Sequence, residues 1–175
     1  HNDNARTGQN LSETILKPSN LNSTNFGKLG SVTVDGLVDA QPLYVSNVTI
    51  AGQQHNVIYV VTEHDSVYAF DADSLTQLWR VTVLGTNETT SDSRSCNQVS
   101  PEIGITSTPV IDPSAGPNGT IFVVGMSKNG SGQYFQRLHA LDLSTGAELG
   151  ASPTTIQATF PVPNSTGYVT FDPAQ

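Results

Sequence analysis

The chain has 175 residues, with 15 acids against 7 bases and a net charge of −8. That balance lacks the clustered Lys and Arg that nucleic acid or an anionic membrane surface demands, and no apolar run approaches the roughly 18–20 residues of a membrane-spanning helix. Thr (20), Ser (18), Val (17) and Asn (13) dominate while charged residues are only 13%, which favours strands and turns over a helical bundle or coiled coil.

Residues 1–28 are polar and Asn-rich, with Ile15 and Leu16 as the one apolar pair before Phe26. They read as an extended N-terminal arm that wraps a body. From Leu29 onward, short apolar runs appear between Gly, Pro, Asn and Asp. The runs are 29–34, 41–45, 57–61, 67–70 and 78–84; a Thr/Ser/Asn/Asp-rich loop follows at 85–101; then 107–111, 120–124, 134–141 and 154–159. No segment longer than a turn or two has the 3.6-residue period of an amphipathic helix. The expectation is an all-β chain with strands of about five residues.

The runs repeat. Gln41-Pro42-Leu43-Tyr44-Val45 matches Thr108-Pro109-Val110-Ile111-Asp112, and Ile58-Tyr59-Val60-Val61 matches Ile121-Phe122-Val123-Val124. Val67-Tyr68-Ala69-Phe70-Asp71 matches Leu138-His139-Ala140-Leu141-Asp142. Each unit reads as four antiparallel strands. One such sheet cannot bury both faces alone, so the units must stack on neighbours.

The sharpest motif closes each unit: Ala69-Phe70-Asp71-Ala72-Asp73-Ser74-Leu75-Thr76-Gln77-Leu78-Trp79, then Ala140-Leu141-Asp142-Leu143-Ser144-Thr145-Gly146-Ala147-Glu148-Leu149-Gly150. Asp71 and Asp142 suit backbone N–H acceptance at a tight turn. Thr145 and Gly146 supply that turn, Ala69 and Ala140 allow close sheet approach, and Trp79 offers a flat docking surface. The motif resembles the Ala-x-Asp-x-x-Thr-Gly-x-x-x-Trp repeat of pyrroloquinoline-quinone-type (quinoprotein alcohol dehydrogenase-like) β-propellers. Leu75 stands where Gly is usual, and Gly150 replaces the second Trp. The stretches 2–8, 22–29, 62–71 and 101–112 extend the resemblance to exported bacterial propellers of this superfamily. The resemblance implies a propeller fragment of about two four-stranded blades: an arm at 1–28, a first repeat with a long loop at 29–100, a second at 101–160, and the start of a further blade at 161–175. It implies that the remaining blades, or other copies of the chain, complete a seven- or eight-bladed ring.

Candidate chemistry is sparse. Glu63-His64-Asp65 is the densest titratable run, at a hairpin between two strands, and with Glu102 it offers the weak metal-ligand candidates Glu63, Asp65 and Glu102. The bland reading is a polar hairpin turn. Quinoprotein dehydrogenases use a quinone, calcium and an aspartate base, often above two adjacent cysteines; this chain has one cysteine, Cys96. In an exported protein Cys96 is expected to pair outside this segment. Asn-x-Ser/Thr sequons begin at Asn10, Asn22, Asn47, Asn87, Asn118, Asn129 and Asn164, all glycosylation candidates. The chain starts at His1, consistent with a removed export signal or an upstream N-terminus. Two functions follow: an extracellular or periplasmic scaffold, binding or assembly module without its own catalytic residues, or the N-terminal part of an oxidoreductase dependent on pyrroloquinoline quinone and calcium.

Overall fold

The computed structural model describes Thr7, residues 10–164 and residues 166–174. The chain divides into two compact units, His1–Ser31 and Val32–Gln175. In the first, the described residues form successive turns closed by their own side chains. The Glu13 carboxylate accepts the amides of Ile15 and Leu16, and Asn20 both accepts from the Lys17 amide and donates to the Ile15 carbonyl. The resembling stretch 2–8 lies outside the described residues except for Thr7.

The second unit is all-β and antiparallel; among the described residues there is no helix, and neither main sheet closes into a barrel. Strands β1 (Leu43–Ile50), β2 (Gln53–Val61), β3 (Ser66–Asp71) and β4 (Gln77–Thr82) form a four-stranded meander in sequence order. Ala51 and Gly52, both at positive φ, make its first hairpin turn, the backbone twist that two-residue hairpins require. A second sheet holds β5 (Glu88–Asp92), β6 (Glu102–Ile103), β7 (Val110–Asp112), β8 (Thr120–Asn129), β9 (Tyr134–Asp142) and β10 (Thr154–Thr155). The long β8 pairs with β7 through its first residues and with β5 through its last. Strands β11 (Thr159–Pro161) and β12 (Tyr168–Thr170) form a separate hairpin.

Three expectations need correction. The run 29–34 is not a strand, because it joins no ladder; Val34 alone turns inward, onto Val60, Tyr68 and Phe70. The presumed loop 85–101 contains β5, whose consecutive threonines suit an extended backbone and whose ladder partner is the overhang of β8. The run 107–111 contributes a strand only from Val110, after Pro109, which has no N–H to give.

The two sheets share register as well as sequence. Leu43, Tyr59, Ala69 and Trp79 lie in one row across the first sheet. Val110, Phe122 and Ala140 form the matching row in the second. The face bearing these rows is called the front. The front of the first sheet, with Val57, Tyr59, Val61, Val67 and Ala69, packs in one core with Ile121, Val123 and Leu141 on the back of the second. Each large aliphatic buried there contributes roughly 1.5–3 kcal/mol. The back of the first sheet, Val60, Tyr68 and Phe70 with Ile58, makes a smaller cluster under Val34. The front of the second sheet stays open: Val110 is 64% and Leu138 40% exposed.

Candidate functional site

The Ala-x-Asp motif builds the same turn twice. Asp71 Oδ1 accepts the amides of Asp73 and Ser74, while Asp142 Oδ1 accepts those of Ser144 and Thr145. The amides of Leu75 and Gly146 each reach the carbonyl of their motif aspartate at 2.8 Å. Both residues are left-handed, Leu75 at φ 61° and Gly146 at φ 72°. The second carboxylate oxygen is held from the segment that leads into or forms the preceding strand: His55 Nδ1, in β2, lies 2.7 Å from Asp71 Oδ2, and Asn118 Nδ2, in the turn before β8, donates to Asp142 Oδ2 at 2.9 Å. His55 and Asn118 occupy equivalent positions in the two repeats, a pairing the sequence hides because the residue types differ. Bonding to His55 and then to the Ser74 amide holds Asp71 down to about 2.

Trp79 is the cross-sheet anchor. Its indole N–H donates to the Leu143 carbonyl of the other repeat, and its ring leaves no space for a Cβ on Gly146, which would meet it at 2.9 Å. Ala69 is fully buried, while Ala140, its equivalent on the open front, is half-buried. The motif residues therefore position sheets.

The densest chemistry lies at the β2–β3 hairpin. Asp65 is left-handed, at φ 53°, so strict strand alternation fails across Glu63-His64-Asp65. His64 points outward and its Nδ1 sits 2.8 Å from Glu102 Oε1; Thr90 Oγ1 donates to Glu102 Oε2 at 2.6 Å. Glu63 and Asp65 are each only 1% exposed, and none of their four carboxylate oxygens has a hydrogen-bond partner. Burial, then the adjacent Asp39 carboxyl, then Glu102 push Glu63 up to about 7. Burial, then Glu102 and Glu88, push Asp65 up to about 8. Their burial was invisible locally. The signal lies far along the chain, in Gly104 and Gly125, whose missing side chains let two segments close on the turn.

Around this turn Glu88 and Asp35 are paired with cations. Arg137 grips Glu88 through both guanidinium nitrogens at 2.7 Å, and this holds Glu88 down to about 2. Asp35 accepts from Thr62, Ser66 and Arg80.

Among the described residues, no three His, Cys, Asp or Glu side chains converge on a position that could hold a metal, and Cys96 is a lone, exposed thiol. A cleft of about 470 Å³ beside β9 and the β11–β12 hairpin is lined by aromatic, aliphatic, hydroxyl and amide side chains, without acid or base. Of the sequons, Asn10, Asn22, Asn47, Asn87, Asn118 and Asn164 are exposed, Asn129 is half-buried, and Asn164 is followed by a residue outside those described. Asn118 and Asn129 use their amide nitrogens on Asp142 and Gln133. No described helix is long and apolar enough to cross a membrane. Protein-family models, curated proteins and solved structures all give no match to this chain.

Proposed function

We propose that the chain is a segment of a pyrroloquinoline-quinone-type β-propeller, each repeat a blade, and that it works outside the cytoplasm as a scaffold and assembly module. One observation carries this reading. The front of the first sheet is covered by the back of the second, while the equivalent front of the second is open. Val110 and Phe122 there correspond to Leu43 and Tyr59, and Leu138 and Ala140 to Val67 and Ala69. A face with the same pattern takes the same kind of partner: the aliphatic back of another such sheet, from a further blade or a second copy of the chain. The low charge and hydroxyl-rich surface support export.

Light scattering at micromolar concentration tests it. The chain is expected to self-associate through the open front, and Leu138→Lys is expected to leave a folded monomer. A stable wild-type monomer at that concentration would overturn the assembly reading.

A further inference from the structure

The β2–β3 turn joins three parts of the second unit. The Glu63 amide donates to the Leu37 carbonyl at 3.0 Å, the Val83 amide to the Asp65 carbonyl at 2.9 Å, and the Ile105 amide to the Thr62 carbonyl at 3.2 Å. Three glycines let these segments approach. A Cβ on Gly104 would lie 2.1 Å from the Glu63 carbonyl oxygen, one on Gly125 2.9 Å from Asp65 Oδ1, and one on Gly36 3.0 Å from the His64 backbone. The turn is thus sealed by the segment before β1, the end of β4, the residues after β6 and the middle of β8. Two carboxyl groups are sealed in with it, without partners.

An ionised carboxylate is opposed there, although the Met126 amide faces Asp65 and favours its charge. Leaving a buried acceptor unpaired costs about 1–3 kcal/mol, and more when it is charged. Facing the turn are Asp39 from the segment before β1, Glu102 from β6 and Glu88 from β5, all acids. The nearby guanidinium groups are committed elsewhere, Arg137 to Glu88 and Arg80 to Asp35, and the His64 ring is turned to Glu102. A proton resolves the conflict at Glu63, because the neutral acid gains an O–H to donate to Asp39. At Asp65 it removes the charge that burial and Glu102 oppose. A cation is the other solution in principle, but three ligating side chains do not converge.

We propose that the Glu63–Asp65 turn is a proton-controlled latch: with both carboxyls neutral it fastens the two sheets and the segment before β1, and ionisation releases this junction. The inference is independent of the assembly reading, since it concerns contacts within one chain.

The sign follows from linkage. Both groups bind protons more tightly folded than unfolded. Their contribution is full below the ordinary carboxylate range near pH 4, declines as pH rises, and is gone above the folded values of about 7 and 8. Each group raises the unfolding equilibrium constant by up to tenfold per pH unit in that window.

The test uses the whole chain. Urea unfolding of wild type, Glu63→Gln, Asp65→Asn and the double variant is followed from pH 5 to 9, together with amide-exchange protection of Glu63, Val83 and Ile105. The unfolding equilibrium constant of the wild type is expected to rise at least tenfold more across this range than that of the double variant, with those three amides losing protection first. Carboxyl ¹³C titration of the wild type keeps the proposal testable if a variant does not fold: two side chains are expected to titrate near neutrality. Ordinary titration near pH 4, or equal pH slopes in wild type and double variant, would overturn it. So would a rise in the wild-type midpoint at pH 8 with millimolar calcium that Glu63→Gln abolishes, which would mark a cation site instead.

Discussion

Trp79 hangs its indole N–H on the carbonyl of Leu143, 3.1 Å away in the other repeat, and Tyr59 places its hydroxyl on the same oxygen at 2.8 Å. The two rings also meet, with centroids 5.8 Å apart. Two donors from β2 and β4, on either side of β3, thus converge on one acceptor in the other sheet.

That sharing predicts non-additivity. Trp79→Phe and Tyr59→Phe each leave the Leu143 carbonyl one partner, so each should cost about 1 kcal/mol. The double variant strands the carbonyl and should cost about 1–3 kcal/mol beyond the sum of the singles. A double-mutant cycle by urea unfolding reads the coupling, and strict additivity would argue against a shared acceptor.

The motif turn predicts opposite effects at two equivalent positions. Leu75 holds φ 61° with a side chain that resists it. Leu75→Gly should therefore stabilise by about 0.5–1 kcal/mol, since the left-handed penalty for an L-residue is roughly 1–2 kcal/mol and part is returned as backbone entropy. Gly146→Ala adds a Cβ 2.9 Å from the Trp79 ring and from Val81 at φ 72°. It should destabilise by about 2 kcal/mol or more. Thermal midpoints of the two variants should move in opposite directions.

Acid should act through Glu88, alongside other carboxylates held low such as Asp71, rather than through the latch. Its folded pKa, about 2 beside Arg137, lies below the ordinary carboxylate range. Its stabilisation is therefore present above about pH 4 and lost as pH falls through 2. Glu88→Gln should lower stability at pH 7 and flatten the loss between pH 4 and 2. Urea midpoints at those three pH values check this; an unchanged acid slope would show that Glu88 is not the group responsible.

The sequons separate by geometry. In a eukaryotic secretory host, Asn47 and Asn87 should carry glycans, since both are exposed at positive φ, Asn47 at a bulge in β1 and Asn87 in a turn. Asn118 should not, because its amide nitrogen is spent on Asp142. Peptide mass spectrometry decides the pattern.

Much of the fold can be read along the chain because its signals are local. The apolar run at 57–61 lies inside β2, and the run at 67–70 inside β3. Asp71 and Asp142 sit in turns because a short carboxylate bonds amides two or three residues on, whatever surrounds it. The strand β5 escaped because its sequence, Glu-Thr-Thr-Ser-Asp, has no apolar alternation; its pairing depends on the distant end of β8. Residues 29–34 failed the other way, apolar in pattern but without a ladder to join.

The candidate site follows the same division. Glu63, Asp65 and Glu102 are recognisable as an acidic group by type and spacing, but whether the first two meet water or protein is not written near them. Burial depends on Gly104 and Gly125, some forty and sixty residues later by numbering, approaching closely enough to exclude solvent. The amino-acid sequence alone determined most of the antiparallel strands and the repeated turn, because each rests on neighbours within a few positions. Only the tertiary structure decided which face of each sheet is covered, that His55 and Asn118 serve the same aspartate position, and that two carboxyls are sealed without partners. Those outcomes depend on segments distant in sequence arriving at one place, where packing removes water and changes what an ionisable group can do.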